Sequence, residues 1–205
     1  MPSILFHEFV GYKFAKKYKK YNTNNFYLGL IVPDAVNAYG FASKEKRWNA
    51  HFRDEDLDRW QMNVIKFYKE NYNKYEDTYL MGYLVHILTD IICDKIYMEN
   101  LYPDLLRRGF DYHSAYSYYE KSIEKFENNN INENWWKEVK ENFQKGDKIS
   151  INNISEKMIN DFVKYTIDKY DDKSFEETEY ITVDFVNEVL EIIENVLKNK
   201  DILKE

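Results

Sequence analysis

Apolar residues in this chain recur mainly at the three- and four-residue intervals of amphipathic helices, in long segments joined by short polar connections. Residues 3–20 place Ile4, Leu5, Phe9, Phe14 and Tyr18 at helical spacing, with Ser3 as a cap after Pro2 and His7 on or near the apolar side. Next, "NNFYLGLIVPDAVNAYG" is apolar up to Pro33-Asp34. A proline pushes the residue before it out of the helical region, so a helix should stop or restart here and Asp34 should lie at a turn. The stretch "GFASKEKRWNAHFRDEDLDRW" reads as a loop ending near His51-Phe52, after which Asp54 or Asp56 starts a helix through Trp60, Val64, Phe67 and Tyr68. A second long helix is expected over 77–100. Beyond Pro103, further helices are expected over 114–127, 134–143, 155–169 and 183–198, the last two capped by Ser155 and Thr182. There is no convincing internal repeat, and the Asn-rich stretches at 128–134 and 152–153 read as connections rather than domain linkers.

Composition narrows the class. The 205 residues suffice for one domain with a substantial core. They include 19 Tyr and 13 Phe but just 6 Gly and 3 Pro, which favours long helices over a turn-rich sandwich or barrel. The expected fold is all-α, a single-domain multi-helix bundle over 1–205. A net charge of -7 argues against a general electrostatic grip on nucleic acid. The densest basic patch, Lys16-Lys17 with Lys19-Lys20, reads as the solvated end of the first helix. Cys93 has no second cysteine to pair with and sits in an apolar run, as an ordinary buried thiol would. The N-terminal "MPSILFHEFVGYKFAKK" lacks the basic start and unbroken apolar segment of an export signal. The most apolar window, 79–93, is too short for a membrane span and is broken by His86 and Asp90. A cytoplasmic protein without a transmembrane segment is expected.

That window holds the first candidate chemistry. In "GYLVHILTD", His86 and Asp90 lie four residues apart on one helical face, with Cβ atoms roughly 6 Å apart, so both can direct donor atoms at one ion. Each is costly to bury unless satisfied. Two readings are open: a core histidine bonded to a nearby carboxylate, or a pair of metal ligands. His7 in the first helix, Asp34 after "GLIVP" and His51 at a loop-to-helix junction extend the set to three imidazoles and two carboxylates. Such mixed nitrogen and oxygen donors suit Zn, Mn or Fe better than Mg or Ca.

In this order and spacing, "MPSILFH", "FYLGLIVPDAV", "AHFRDED" and "GYLVHILTD" resemble the zinc-dependent phospholipase C family, in particular its small bacterial members without a signal peptide. The resemblance covers 1–100, and 101–205 follow as a generally helical remainder. It implies an all-helical fold that binds metal ions among its helices and hydrolyses phosphodiesters. It also assigns His7, His51, His86 and Asp90 as metal ligands and Asp34 as a ligand that can bridge metals or act on the attacking water. Secreted members add a further histidine and an HxxxE pair. Here the later histidine is His113, with Ser117 four residues on, so that pair is missing and one or two ions are expected.

The expected function is thus hydrolysis of a small phosphoric ester, a phosphodiester above all, with phospholipid as one candidate substrate. The alternative is a non-catalytic metal-binding or scaffold protein with a degenerate site. An HD-type phosphohydrolase ranks last, since the chain has no His-Asp dipeptide. Asp94, one turn past Asp90, is a candidate substitute ligand, and His113 reads as a surface residue. Glu8 is expected to face solvent, and Tyr39, Phe41 and Trp48 are candidates for a substrate wall.

Overall fold

The computed structural model describes residues 4–130, 134–170 and 181–203, with side chains 126–130 excepted. Its elements are α1 (Ile4–Lys17), α2 (Asn24–Ile31), α3 (Lys44–His51), α4 (Leu57–Asn71), α5 (Asp77–Ile96), α6 (Tyr102–Arg107), α7 (Tyr112–Asn130), α8 (Asn134–Lys145), α9 (Glu156–Tyr170) and α10 (Val183–Asn199). No strand occurs among the described residues, so the chain is all-α, as its apolar spacing and scarcity of glycine and proline imply. None of the described helices is long and apolar enough to cross a membrane.

Local chemistry accounts for most helix starts. Thr23 accepts a hydrogen bond from the Phe26 amide at 3.2 Å, Asp56 from Arg59 at 2.8 Å, Ser155 from Met158 at 3.2 Å and Thr182 from Phe185 at 3.3 Å. Each satisfies an amide that the first helical turn leaves unpaired. The proposed Ser3 cap lies outside the described residues. Pro33 does end α2, but the chain tightens into a 3₁₀ segment, Val32–Asn37, that carries Asp34. A π-helical turn, Tyr97–Leu101, follows α5, and Pro103 sits in the first turn of α6.

The loop expected before His51 is not observed. The segment read as a loop before His51 contains α3, capped by Ser43, whose hydroxyl accepts from the Lys46 amide at 3.4 Å. The helix is KEKRWNAH, too polar to show an apolar period, and His51 is its last residue. Phe52 then turns the chain with φ 52°, a left-handed conformation uncommon for a residue with a Cβ.

The fold is organised around α5. Residues 79–93 are buried without interruption, as expected of a helix that is apolar on all sides and covered all round. It packs on α2, α4, α10 and α1, most extensively on α2. Gly29 of α2 and Gly82 of α5 permit that approach. A Cβ on Gly82 would lie 2.1 Å from the Phe26 carbonyl oxygen, and one on Gly29 would lie 2.2 Å from the Tyr79 carbonyl oxygen. Both obstacles are backbone, so no side-chain rotation could relieve them. This close contact fixes α5, and with it His86 and Asp90, against the C-terminal end of α2.

Candidate metal centre

His7 comes from α1, Asp34 from the 3₁₀ segment, His51 from the end of α3, and His86 and Asp90 from α5. Residues up to 83 positions apart in sequence thus meet in one place. All three histidines and Asp90 are buried; the Asp34 side chain retains 15% exposure. His7 Nε2 lies 3.4 Å from Asp90 Oδ1, while His51 Nε2 lies 3.5 Å from Asp34 Oδ1 and 3.6 Å from Asp90 Oδ2. His86 Nε2 lies 3.8 Å from Asp90 Oδ2 and 3.3 Å from His51 Nε2. The His7 and His86 rings stack at 3.7 Å with 13° between their planes.

The outer nitrogens fix how two of these rings present themselves. His51 Nδ1 donates to the Arg47 carbonyl at 2.8 Å, and His86 Nδ1 donates to the Leu30 carbonyl at 2.5 Å. A carbonyl can only accept, so Nδ1 carries a proton in both rings, and in the neutral form of either ring the Nε2 lone pair faces the centre. This is the arrangement that prepares histidine for metal ligation. The backbone of His51 is braced as well: its carbonyl accepts from Trp60 Nε1 at 2.7 Å, and Tyr83 Oη donates to the neighbouring Ala50 carbonyl.

What faces these lone pairs is more negative charge. Neither oxygen of buried Asp90 receives a hydrogen bond, and buried His7 Nδ1 is also unpartnered. Burial alone would raise the Asp90 carboxyl, but the surrounding imidazoles, His7 first, outweigh it and hold Asp90 well below the usual carboxylate range. Burial beside His7 pushes His86 down to about 3, so it is neutral at physiological pH. His51 goes the other way: burial would lower it, yet Asp34 and Asp90 raise it above an ordinary imidazole. Asp34 is correspondingly lowered, burial being outweighed by His51 and its neighbours.

A cation reconciles these groups, because each donor aimed at the centre would then have a partner. Two donors about 2.1 Å from a shared ion, at a tetrahedral angle, lie ~3.4 Å apart, close to the 3.3–3.8 Å spacings seen here. Two triads have ligand atoms that lie within 4.8 Å of one another: His7, Asp34 and His86, and His51, His86 and Asp90. His86 belongs to both, and with its Nδ1 held by Leu30 it has one nitrogen to give, so the triads share that ligand rather than stand as independent sites.

Asp34 opens the centre to solvent. Two adjoining clefts, about 310 and 340 Å³, both reach Asp34, Ile4, Asn37, Phe41 and Lys169. Phe41 therefore lies where a substrate wall would be. Tyr39 instead bonds Asp161 at 3.0 Å and receives a hydrogen bond from Lys157 at 2.9 Å, and Trp48 lines a separate groove.

Three further residues stand apart from the centre. Asp94 is committed to Arg53, whose Nη2 donates to it at 2.7 Å. His113 is exposed on α7 beside the Tyr112 ring. Glu8, expected to face solvent, is buried in α1 with neither carboxylate oxygen bonded, and burial raises its pKa well above the ordinary value. The nearly all-round burial of α1 leaves it no solvent face there. The sequence reading also missed Arg47 and Arg53, which flank His51 and line the larger cleft. Two arginines within four residues of a candidate ligand were the available signal.

No family model, curated protein or solved structure matches the chain. The likeness of its four motifs to the phospholipase C family rests on those residues alone.

Proposed function

We propose that this chain is a metal-dependent hydrolase of phosphoric esters, phosphodiesters in particular, with His7, Asp34, His51, His86 and Asp90 holding one or two ions of Zn, Mn or Fe. The observation that carries this reading is the unbonded Asp90 carboxylate among three imidazoles, with one edge of the cluster, Asp34, open to a cleft. A structural metal site is closed by its protein ligands, whereas a catalytic one keeps a side open to substrate. A bound ion would lower the pKa of water and polarise a phosphoryl oxygen.

The chain's own residues do the rest. Asp34, kept ionised by His51, can accept a hydrogen bond from water entering the cleft and orient it for attack. Leu30 and Arg47 hold His86 and His51 in one tautomer through their carbonyls, so neither ring must reorganise when a ligand arrives. The burial of the other four donors limits water to the Asp34 side.

The decisive experiment is hydrolysis of bis(4-nitrophenyl) phosphate by the purified chain. Activity should depend on added Zn or Mn and disappear in Asp34→Asn. The same burial favours the second reading, a metal-binding scaffold. Stoichiometric metal with no turnover across a broad panel of phosphoric esters would select it.

A further inference from the structure

The two clefts at Asp34 differ in chemistry. Besides the residues they share, Arg47, Arg53, Tyr116, Glu120 and Tyr170 line the larger, while Ala38, Gly40, Phe162 and Tyr165 line the smaller. Arg47 is half-buried, and among the described residues no carboxylate forms an ion pair with it. Its Nε donates to the Ala42 carbonyl at 3.1 Å, and its guanidinium lies 4.1 Å from the centre of the Phe41 ring. A guanidinium partly withdrawn from water and not committed to a carboxylate keeps its charge available, so Arg47, beside a candidate hydrolytic centre, is placed to receive an anion. Arg53 stands near it, posed by Asp94 and by the Trp60 ring 4.6 Å away. The planar fork of arginine matches the paired oxygens of a phosphoryl group.

The smaller cleft is aromatic. Phe162 and Tyr165, one turn apart on α9, have ring centres 5.8 Å apart and planes within 26° of parallel. At about 310 Å³ the space is near the lower limit for small-molecule sites. It suits one planar ring and is small for the paired acyl chains of a membrane lipid.

We infer that these clefts form one substrate site, in which Arg47, supported by Arg53, binds the free phosphoryl oxygens and the Phe162–Tyr165 cleft takes a planar, ring-sized ester arm. Resting on the phosphoric-ester reading above, this assigns the substrate class as small, soluble phosphodiesters with an aromatic arm.

Phosphonates that cannot be hydrolysed test it without turnover. Calorimetric titration of the full chain, supplied with Zn, should show phenylphosphonate binding more tightly than methylphosphonate. Arg47→Gln should weaken both by about tenfold, equivalent to 1.4 kcal/mol, with partial recovery in Arg47→Lys and metal content unchanged. Tyr165→Ala should weaken phenylphosphonate alone. In the unaltered protein, phenylphosphonate should protect Arg47 from phenylglyoxal, as read by mass spectrometry, so the assignment does not depend on the variants folding. Equal affinity for the two phosphonates, undiminished affinity in Arg47→Gln, or stronger competition from short-chain phosphatidylcholine would overturn it. Phosphonate binding through Arg47 without turnover refutes the hydrolase reading and leaves the cleft assignment standing; turnover with Arg47-independent binding does the reverse.

Discussion

Thermal stability should depend strongly on metal if the buried cluster is a cation site. Within it Asp90 is buried with both oxygens unbonded, and the Nε2 atoms of His51 and His86 lie 3.3 Å apart. A ligand that binds only the folded chain, at a hundred times its Kd, stabilises that chain by about 2.7 kcal/mol. For 205 residues, each kcal/mol moves Tm by about 2–4 °C, so Zn in such excess should raise Tm by about 5–11 °C over chelator-treated protein. Scanning calorimetry with and without Zn, alongside metal analysis, measures this directly. His86→Ala and Asp90→Ala each remove a donor, so both variants should lose most of the shift. Binding must also displace the proton that His51 holds more tightly than an ordinary imidazole, and the Zn-induced shift should therefore shrink as pH falls from 8 to 6. An identical Tm in Zn and in chelator, or an undiminished shift in both variants, would refute the assignment.

Two further predictions concern the scaffold. Gly82→Ala should destabilise the chain in urea unfolding, at a cost of about 1–3 kcal/mol for overpacking, because its Cβ meets the Phe26 carbonyl oxygen at 2.1 Å. Helix propensity offsets about 1 kcal/mol of that cost, leaving a net loss of up to about 2 kcal/mol, so a variant more stable than the parent would show that α2 and α5 are not in close contact. Glu8→Gln tests the buried carboxyl. The folded chain keeps a proton on Glu8 that the unfolded chain releases above the ordinary carboxylate pKa, so stability is unaffected below that value. It falls by about 1.4 kcal/mol per pH unit above it, until the raised pKa is reached. Glutamine does not titrate, so the stability of the variant relative to the parent should rise between pH 4.5 and 7; an equal difference at both pH values would refute the burial of Glu8.

Features fixed over a few residues were legible in the sequence. The all-α class follows from apolar spacing, and Ser155 and Thr182 are recognisable as caps because the amides they satisfy lie three residues ahead, while of Asp54 and Asp56 it is Asp56 that takes this role. Pro33 marks the end of α2 for an equally local reason, its steric effect on the residue before it. α3 was hidden because its stability does not come from an apolar stripe. Glu8 was misplaced because helical position gives a direction but not what covers that direction, and here neighbouring elements close over nearly every side of α1.

The sequence by itself therefore determined the all-α class and most of the longer helices, and nominated His7, Asp34, His51, His86 and Asp90 through a one-turn spacing and four short motifs. Tertiary structure alone decided that these five meet, that Asp94 is taken by Arg53, that His113 lies apart, and that the cluster opens at Asp34 beside Arg47. The physical reason is range. Capping and helical periodicity act over about four residues, whereas the candidate centre depends on α1, α3 and α5 being held in place by contacts such as Gly29 on Gly82, and that packing has no signature within any one segment.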